Sequence, residues 1–375
     1  MEPKMGRPKS GHLSSFDNSI RSKIDQYRPQ KEGWSALTIE VELGLEPKLS
    51  QLDKPSVSSI HRYLKSSGKI KPRARRVELP VRPCACAAHP HDLWQLDAKG
   101  NEKAQGLGTV SMINIKDVDS KSYISTYPCV FLKPSSHPTT AHYQTALRMG
   151  WMEFGMNKRL QVDHESIFHE NSSASPFPTS FHLWLIGLGI ELCFTPKGKP
   201  QKQGIVEKSH QTIQTQVMAG KTYEDERSLI LACQQRRQRL NYHIPSKATS
   251  NLPPLKADPE AQSSDRHYQP QHEKALFKLD LIYKYLREGK WFRRVASSKT
   301  IHLGGQVYYL SKAIPKTELE IFFDQEHRKF KCFNADGELI GEVEPKGLSF
   351  KELAKNLDEF KVWVKNIPFY SPEDF

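Results

Sequence analysis

Three acids, Asp97, Asp163 and Glu207, each occupy a setting that could deliver a carboxylate to one shared site. Asp97 closes the run 91–97, in which Leu93, Trp94 and Leu96 suit a buried strand that presents an acid at its end. Asp163 follows the strand-like Leu160, Gln161 and Val162, and Glu207 follows a loop rich in Lys, Gly and Pro at 196–204, where a polar helix is expected to begin. The acids lie about 66 and then about 44 positions apart, too far for local structure, so only a fold could join them. Carboxylates grouped in this way are the hard oxygen donors that Mg²⁺ or Mn²⁺ takes while leaving positions for substrate phosphate oxygens. We expect two ions per active site, with Asp97 bridging both, Asp163 completing one position and Glu207 the other. The pair would serve in-line phosphoryl transfer, one ion activating the attacking hydroxyl and its partner stabilising the leaving oxygen. Asp92 competes for the first place and Glu165 for the second. No Ser or Tyr carries an activating cluster that would point to a covalent intermediate.

The partner follows from charge. The 375 residues carry a net charge of +13, and the excess is concentrated in residues 1–82, whereas the last hundred positions nearly balance. A polyanion bound first through its phosphates fits this distribution, and double-stranded DNA is the expected partner. Six cysteines without regular spacing describe no disulfide framework, and the N-terminus lacks the apolar core of a signal peptide. The longest apolar stretch, 181–194, falls short of the roughly 20 residues of a membrane span and is broken by His182 and Glu191. The expected location is a reducing cytoplasm.

The elements that must position the acids read as a multidomain α/β chain. A basic tail at 1–12 is expected to be disordered. Helical spacing then recurs through 13–70, ending in a segment whose Val57, Ile60 and Leu64 share a buried face. Ser56, Ser58, Ser59, His61, Arg62 and Lys65 are left outward, as on a recognition helix of a helix-turn-helix. A helical packing or dimerisation domain is the alternative. A basic, Pro-rich linker at 71–90 follows, with Arg73, Arg75 and Arg76 available to phosphates. Within it Cys84, Cys86, His89 and His91 are spaced too tightly for a tetrahedral zinc site.

From 91 to 258 strands and helices alternate, beginning with a hairpin beside the Asp97 strand whose turn takes Asp117 and Asp119. Lys197, Lys199, Lys202, Lys208, His210, Gln211 and Gln214 are candidates to touch DNA, the last three on one face of the Glu207 helix. A connecting helical segment is expected at 259–295, a small β-barrel at 296–348 and a helical tail at 349–375.

On these residues the chain resembles the integrase-core branch of the DDE transposases, the group of retroviral integrases and many insertion-sequence transposases. The resemblance covers roughly 85–255 and is carried by Trp94-Gln95-Leu96-Asp97, by 162–168 and by 200–207. It departs at His164-Glu165, where the family usually has Asn-Gly or a similar pair, and in a longer gap before Glu207. It implies a central RNase H-like mixed sheet flanked by helices, DNA-end hydrolysis with joining of 3′-hydroxyls to target DNA, and a homo-oligomeric paired-end complex. A transposase-derived regulator or assembly factor that has lost catalysis is the competing function, and a non-transposing nuclease a third.

Overall fold

The computed structural model describes residues 12–30, 33–49, 51–70, 87–133, 136–195 and 204–367. Three capped helices come first. The side chains of Asp17, Ser35 and Ser56 accept backbone N–H groups at the starts of α1 (Asn18–Tyr27), α2 (Ala36–Leu45) and α3 (Val57–Ser66). Ile20, Ile24, Ile39, Leu43, Ile60 and Leu64 form a core private to this unit.

The unit is fastened to the rest of the chain by charge. Glu42, 2% exposed, takes Arg236 on one carboxylate oxygen and Arg239 on the other. The Arg236 guanidinium also lies 4.5 Å from the centroid of the Trp34 ring. α2 therefore faces the body of the protein, and the outward residues of α3 are left exposed, with Ser59 half-buried.

A five-stranded mixed sheet follows, in the order β3-β2-β1-β4-β5. β1 (Leu93–Ala104), β2 (Gly108–Asp117) and β3 (Tyr123–Phe131) pair antiparallel. β4 (Arg159–Val162) and β5 (Glu191–Phe194) extend the sheet parallel to β1, reached through α4 (Thr140–Phe154) and α5 (Ser180–Gly187). This is the hairpin beside the Asp97 strand that the sequence predicts, with Asp117 accepting from the Ser120 amide and hydroxyl in the turn. One expectation is corrected: Asp97 is not at a strand end, because β1 continues to Ala104 under the cover of β2.

α6 (Gly204–Ile213) runs into a π-helical turn (Gln214–Met218), and α7 (Glu226–Tyr242) packs against β3. Two single-turn helices, α8 (Pro254–Ala257) and α9 (Glu273–Leu276), lead to α10 (Leu279–Arg287). The connecting helical segment expected at 259–295 is broken at Phe277, whose ring occupies the space above Gly187, 2.1 Å from where a Cβ would stand. Lys278 then donates its amide to the Gly187 carbonyl at 2.7 Å, so the chain leaves the helix to seal the end of α5.

Six further strands follow: β6 (Lys290–Arg294), β7 (Thr300–Leu303), β8 (Gln306–Tyr309), β9 (Glu318–Asp324), β10 (Lys329–Phe333) and β11 (Leu339–Val343). β11-β10-β9-β6 form an antiparallel sheet and β7-β8 a hairpin turning at Gly304 and Gly305, both at positive φ. The strand content begins at Lys290, ahead of the expected start of the C-terminal module. α11 (Phe350–Leu353) and α12 (Leu357–Val364) close the described chain.

The second sheet does not hang free. A single apolar core runs from Trp94, Trp151 and Trp184 through Leu286 and Trp291 to Phe330 and Phe360. At its centre the fully buried Arg148 of α4 makes two 2.8 Å bonds to Glu273, and its third nitrogen donates to the Lys355 carbonyl. Among the described residues no helix is long and apolar enough to cross a membrane.

Candidate active site

The parallel pairing of β1 with β4 sets the first two acids side by side. Leu93 faces Arg159, and Gln95 faces Gln161; carrying that register onward by two residues puts Asp97 level with Asp163. Below them Gln95 donates its amide to Gln161 at 3.1 Å, a buried polar rung that fixes the register. Asp163 leaves β4 in a tight turn, its carboxylate accepting the Glu165 N–H at 2.9 Å. Tyr143, fully buried on α4, reaches up to donate its hydroxyl to Glu165 at 2.9 Å.

These carboxylates feel one another. Burial raises the Asp163 carboxyl above its ordinary range, and the negative charge of Asp97 raises it further. Burial likewise raises Glu165, with Asp163 and Asp97 adding to the effect. Negative charge gathered beside a part-buried carboxylate is the electrostatic mark of a place for a cation. It also carries a sign: an acid whose folded pKa is raised favours the folded state below its unfolded pKa and loses that advantage as pH rises through the folded value. Asp163→Asn should therefore raise the thermal midpoint at pH 7 in metal-free buffer, and a lowered midpoint would contradict the cost of burying that charge beside Asp97.

Asp92, the competing first acid, is otherwise employed. Its carboxylate takes Lys158 at 2.8 Å and the amides of Ala88 and His89, and Lys158 holds it below the usual carboxylate range. It tethers the start of β1 and stands apart from the repelling set.

Glu207 is exposed on the first turn of α6, and the loop residues before it lie outside the described residues. Among the described residues no three His, Cys, Asp or Glu side chains stand close enough together to hold a single ion. Asp97 and Asp163 thus lie near enough for the charge of one to act on the other, Glu165 follows in the turn, and Glu207 is carried on the neighbouring helix without closing on them.

His210 departs from expectation. Instead of facing outward beside Gln211, it is 6% exposed and turned onto the sheet, with Nε2 3.0 Å from Asp97 Oδ2 and Nδ1 2.9 Å from the Asn114 amide. The reason is helical geometry: Val206, Ser209, His210 and Ile213 form the buried face of α6. Gln214 is also engaged, accepting from Lys99 at 2.8 Å and donating to Glu102 at 2.7 Å. Lys208 and Gln211 remain exposed. Lys197, Lys199, Lys202, Arg73, Arg75, Arg76, Cys84 and Cys86 fall outside the described residues, while His91 is buried with its Nδ1 accepting the Trp94 indole N–H.

Sequence reasoning missed Asn114 and Tyr143. The first was detectable as a lone amide between Ile113 and Ile115 in an apolar strand, the second only through the fold.

No known protein-family profile matches the chain. Among solved structures, a chain of the simian T-cell lymphotropic virus intasome in complex with PP2A regulatory subunit B56 gamma shows 11% identity and a TM-score of 0.36, covering 78% of this chain and 93% of that chain. The HTLV-2 integrase catalytic core domain in complex with magnesium, in its dimeric form, shows 12% identity and a TM-score of 0.31, covering 46% and 97%. Likenesses this distant do not by themselves assign a reaction.

Proposed function

We propose that the protein is a metal-dependent DNA transposase of the integrase-like kind, which hydrolyses the ends of its own mobile element and joins the exposed 3′-hydroxyls to target DNA. The observation that carries the reading is Asp97 on β1 beside Asp163, which follows the end of the adjacent parallel strand β4 and whose carboxyl the charge of Asp97 helps to raise. Such a pair suits a divalent ion, and Glu207 is carried on the helix that rests on Asp97 through His210. Asp97, Asp163 and Glu207 would hold Mg²⁺ or Mn²⁺, which when bound supplies activation of a hydroxyl and stabilisation of charge on phosphate oxygens. The remaining work falls to this chain's own groups. Lys208 and Gln211, exposed beside Glu207, would take the phosphates of the DNA end and so orient it across the acids.

Recognition of the end is assigned to α3. Ser58, His61, Arg62 and Lys65 are exposed along it, and Ser56 and Ser59 are tied into its cap, with Arg62 bonded back to the Ser58 carbonyl at 3.3 Å. A helix with this outward set is suited to a DNA groove. A protein starting near Pro83 should lose discrimination between its element end and random DNA in a competition shift assay; retained discrimination would move recognition elsewhere.

The reaction is tested by incubating the full chain with labelled DNA from the element's ends and Mg²⁺. Cleavage at the element boundary and joined products are expected. Binding to the ends without either product would favour the regulator or assembly factor, a reading that the engagement of Asp97 by His210 also suits.

A further inference from the structure

His210 and Asn114 have no part in the reaction as described, yet both are built into the wall beside Asp97. Asn114 is fully buried on β2, directly opposite Asp97 in the antiparallel register. Its Oδ1 has no hydrogen-bond partner among the described residues, an expensive omission for a buried amide. A half-turn of that amide exchanges its oxygen and nitrogen at almost no change in shape. In the orientation found, Nδ2 faces His210 Nδ1 at 2.9 Å, which puts the imidazole proton on Nε2, toward Asp97. In the turned orientation Oδ1 accepts from Nδ1–H, Nδ2 takes the place that the unpartnered oxygen held, and Nε2 offers a lone pair beside the carboxylate.

Two acceptors side by side need a cation. Adjacent ligands of an octahedral ion with bonds of about 2.1 Å stand about 3 Å apart, and Nε2 of His210 is 3.0 Å from Oδ2 of Asp97. A small reorientation of the imidazole or the carboxylate would then let the pair grip one ion from the same side. Metal-bound imidazoles characteristically donate their second N–H to an oxygen, which the turned Asn114 supplies.

We propose that His210 is a nitrogen ligand to the divalent ion at Asp97, with Asn114 turning its amide oxygen onto His210 as the ion binds. The proposal rests on Asp97 being a metal ligand, as argued under the proposed function. Glu207 precedes His210 by three residues on α6, so one helix would offer an imidazole and a carboxylate from neighbouring turns. An imidazole in the set favours Mn²⁺ over Mg²⁺, which prefers oxygen donors throughout.

The test is Mn²⁺ titration of the full chain without DNA, followed by electron spin-echo modulation, which detects nitrogen bound directly to Mn²⁺. We expect nitrogen modulation in the native chain that changes on labelling histidine with ¹⁵N and disappears in His210→Ala. Asn114→Leu should keep the modulation and weaken Mn²⁺ binding about tenfold or more. Circular dichroism checks folding, and the ¹⁵N comparison on the native chain decides for histidine even if a variant fails to fold. Bound Mn²⁺ without nitrogen modulation, or modulation that survives in His210→Ala, overturns the ligand role. Where Asp97→Asn still releases the ion, the acid site stands despite that loss. Mn²⁺ binding indifferent to Asp97→Asn, or no Mn²⁺ binding at all, overturns both.

Discussion

On the proposed transposase function, Asp97→Asn is expected to reduce end cleavage and joining on the order of a thousandfold or more while leaving end binding in a shift assay within about twofold. The asymmetry follows from where the residue sits. Its neighbours Leu96 and Ala98 lie in the strand body between β2 and β4, so the fold does not depend on its charge, whereas its carboxylate is the point on which Asp163 and the His210 helix converge. Asp163→Asn and Glu207→Gln should behave alike. Cleavage near the native rate in any one of the three would remove that residue from the site. Asp92→Asn serves as the control, because its partner Lys158 is well exposed and such pairs contribute at most about 1 kcal/mol.

Glu273→Ala should be the most destabilising single change in the body of the protein, by roughly 3–5 kcal/mol. Glu273 and Arg148 are both fully buried, and the carboxylate also accepts the Trp184 indole N–H at 3.0 Å and the Tyr268 hydroxyl. Removing it leaves a guanidinium in the apolar core without its carboxylate, held by the Lys355 carbonyl and the Trp184 and Phe360 rings. Replacing both partners by apolar residues, Arg148→Met with Glu273→Leu, should lose far less, since no charge is then left buried. Urea unfolding of the three proteins measures the difference. A loss below about 1 kcal/mol in Glu273→Ala would show that the pair can be hydrated where it lies.

The periodicities around the acids were legible because local rules and the fold agree there. Val206, Ile213 and their neighbours mark α6, and Leu160 and Val162 mark β4, so Asp163 and Glu207 emerge at the ends or faces of elements the pattern already defines. The mixed sheet with its hairpin was legible for the same reason, in line with the integrase-like expectation. What was hidden depends on distant partners. Nothing near Phe277 announces that its ring will fill the space over Gly187 and break a helix. Likewise Glu42 reads as a solvated charge on α2 until Arg236 and Arg239, nearly two hundred positions later, close around it. His210 was placed on the wrong side because its polarity outweighed its spacing: it falls in the buried stripe with Val206 and Ile213, where only a partner such as Asp97 makes an imidazole tolerable.

The shared core has a consequence for the chain as it is made. Arg148 and Gln144, laid down in α4, must wait for the carbonyls of Lys355 and Leu353, and the tryptophans beneath them wait for Phe330 and Phe360. Synthesis at about 5–20 residues per second leaves those surfaces uncovered for many seconds after the acids themselves have emerged. The N-terminal helices, with a private core, can fold at once. A nascent chain would therefore gain its outward-facing α3 long before its body is rigid, and a ribosome stalled in the last quarter of the message would display the first without the second.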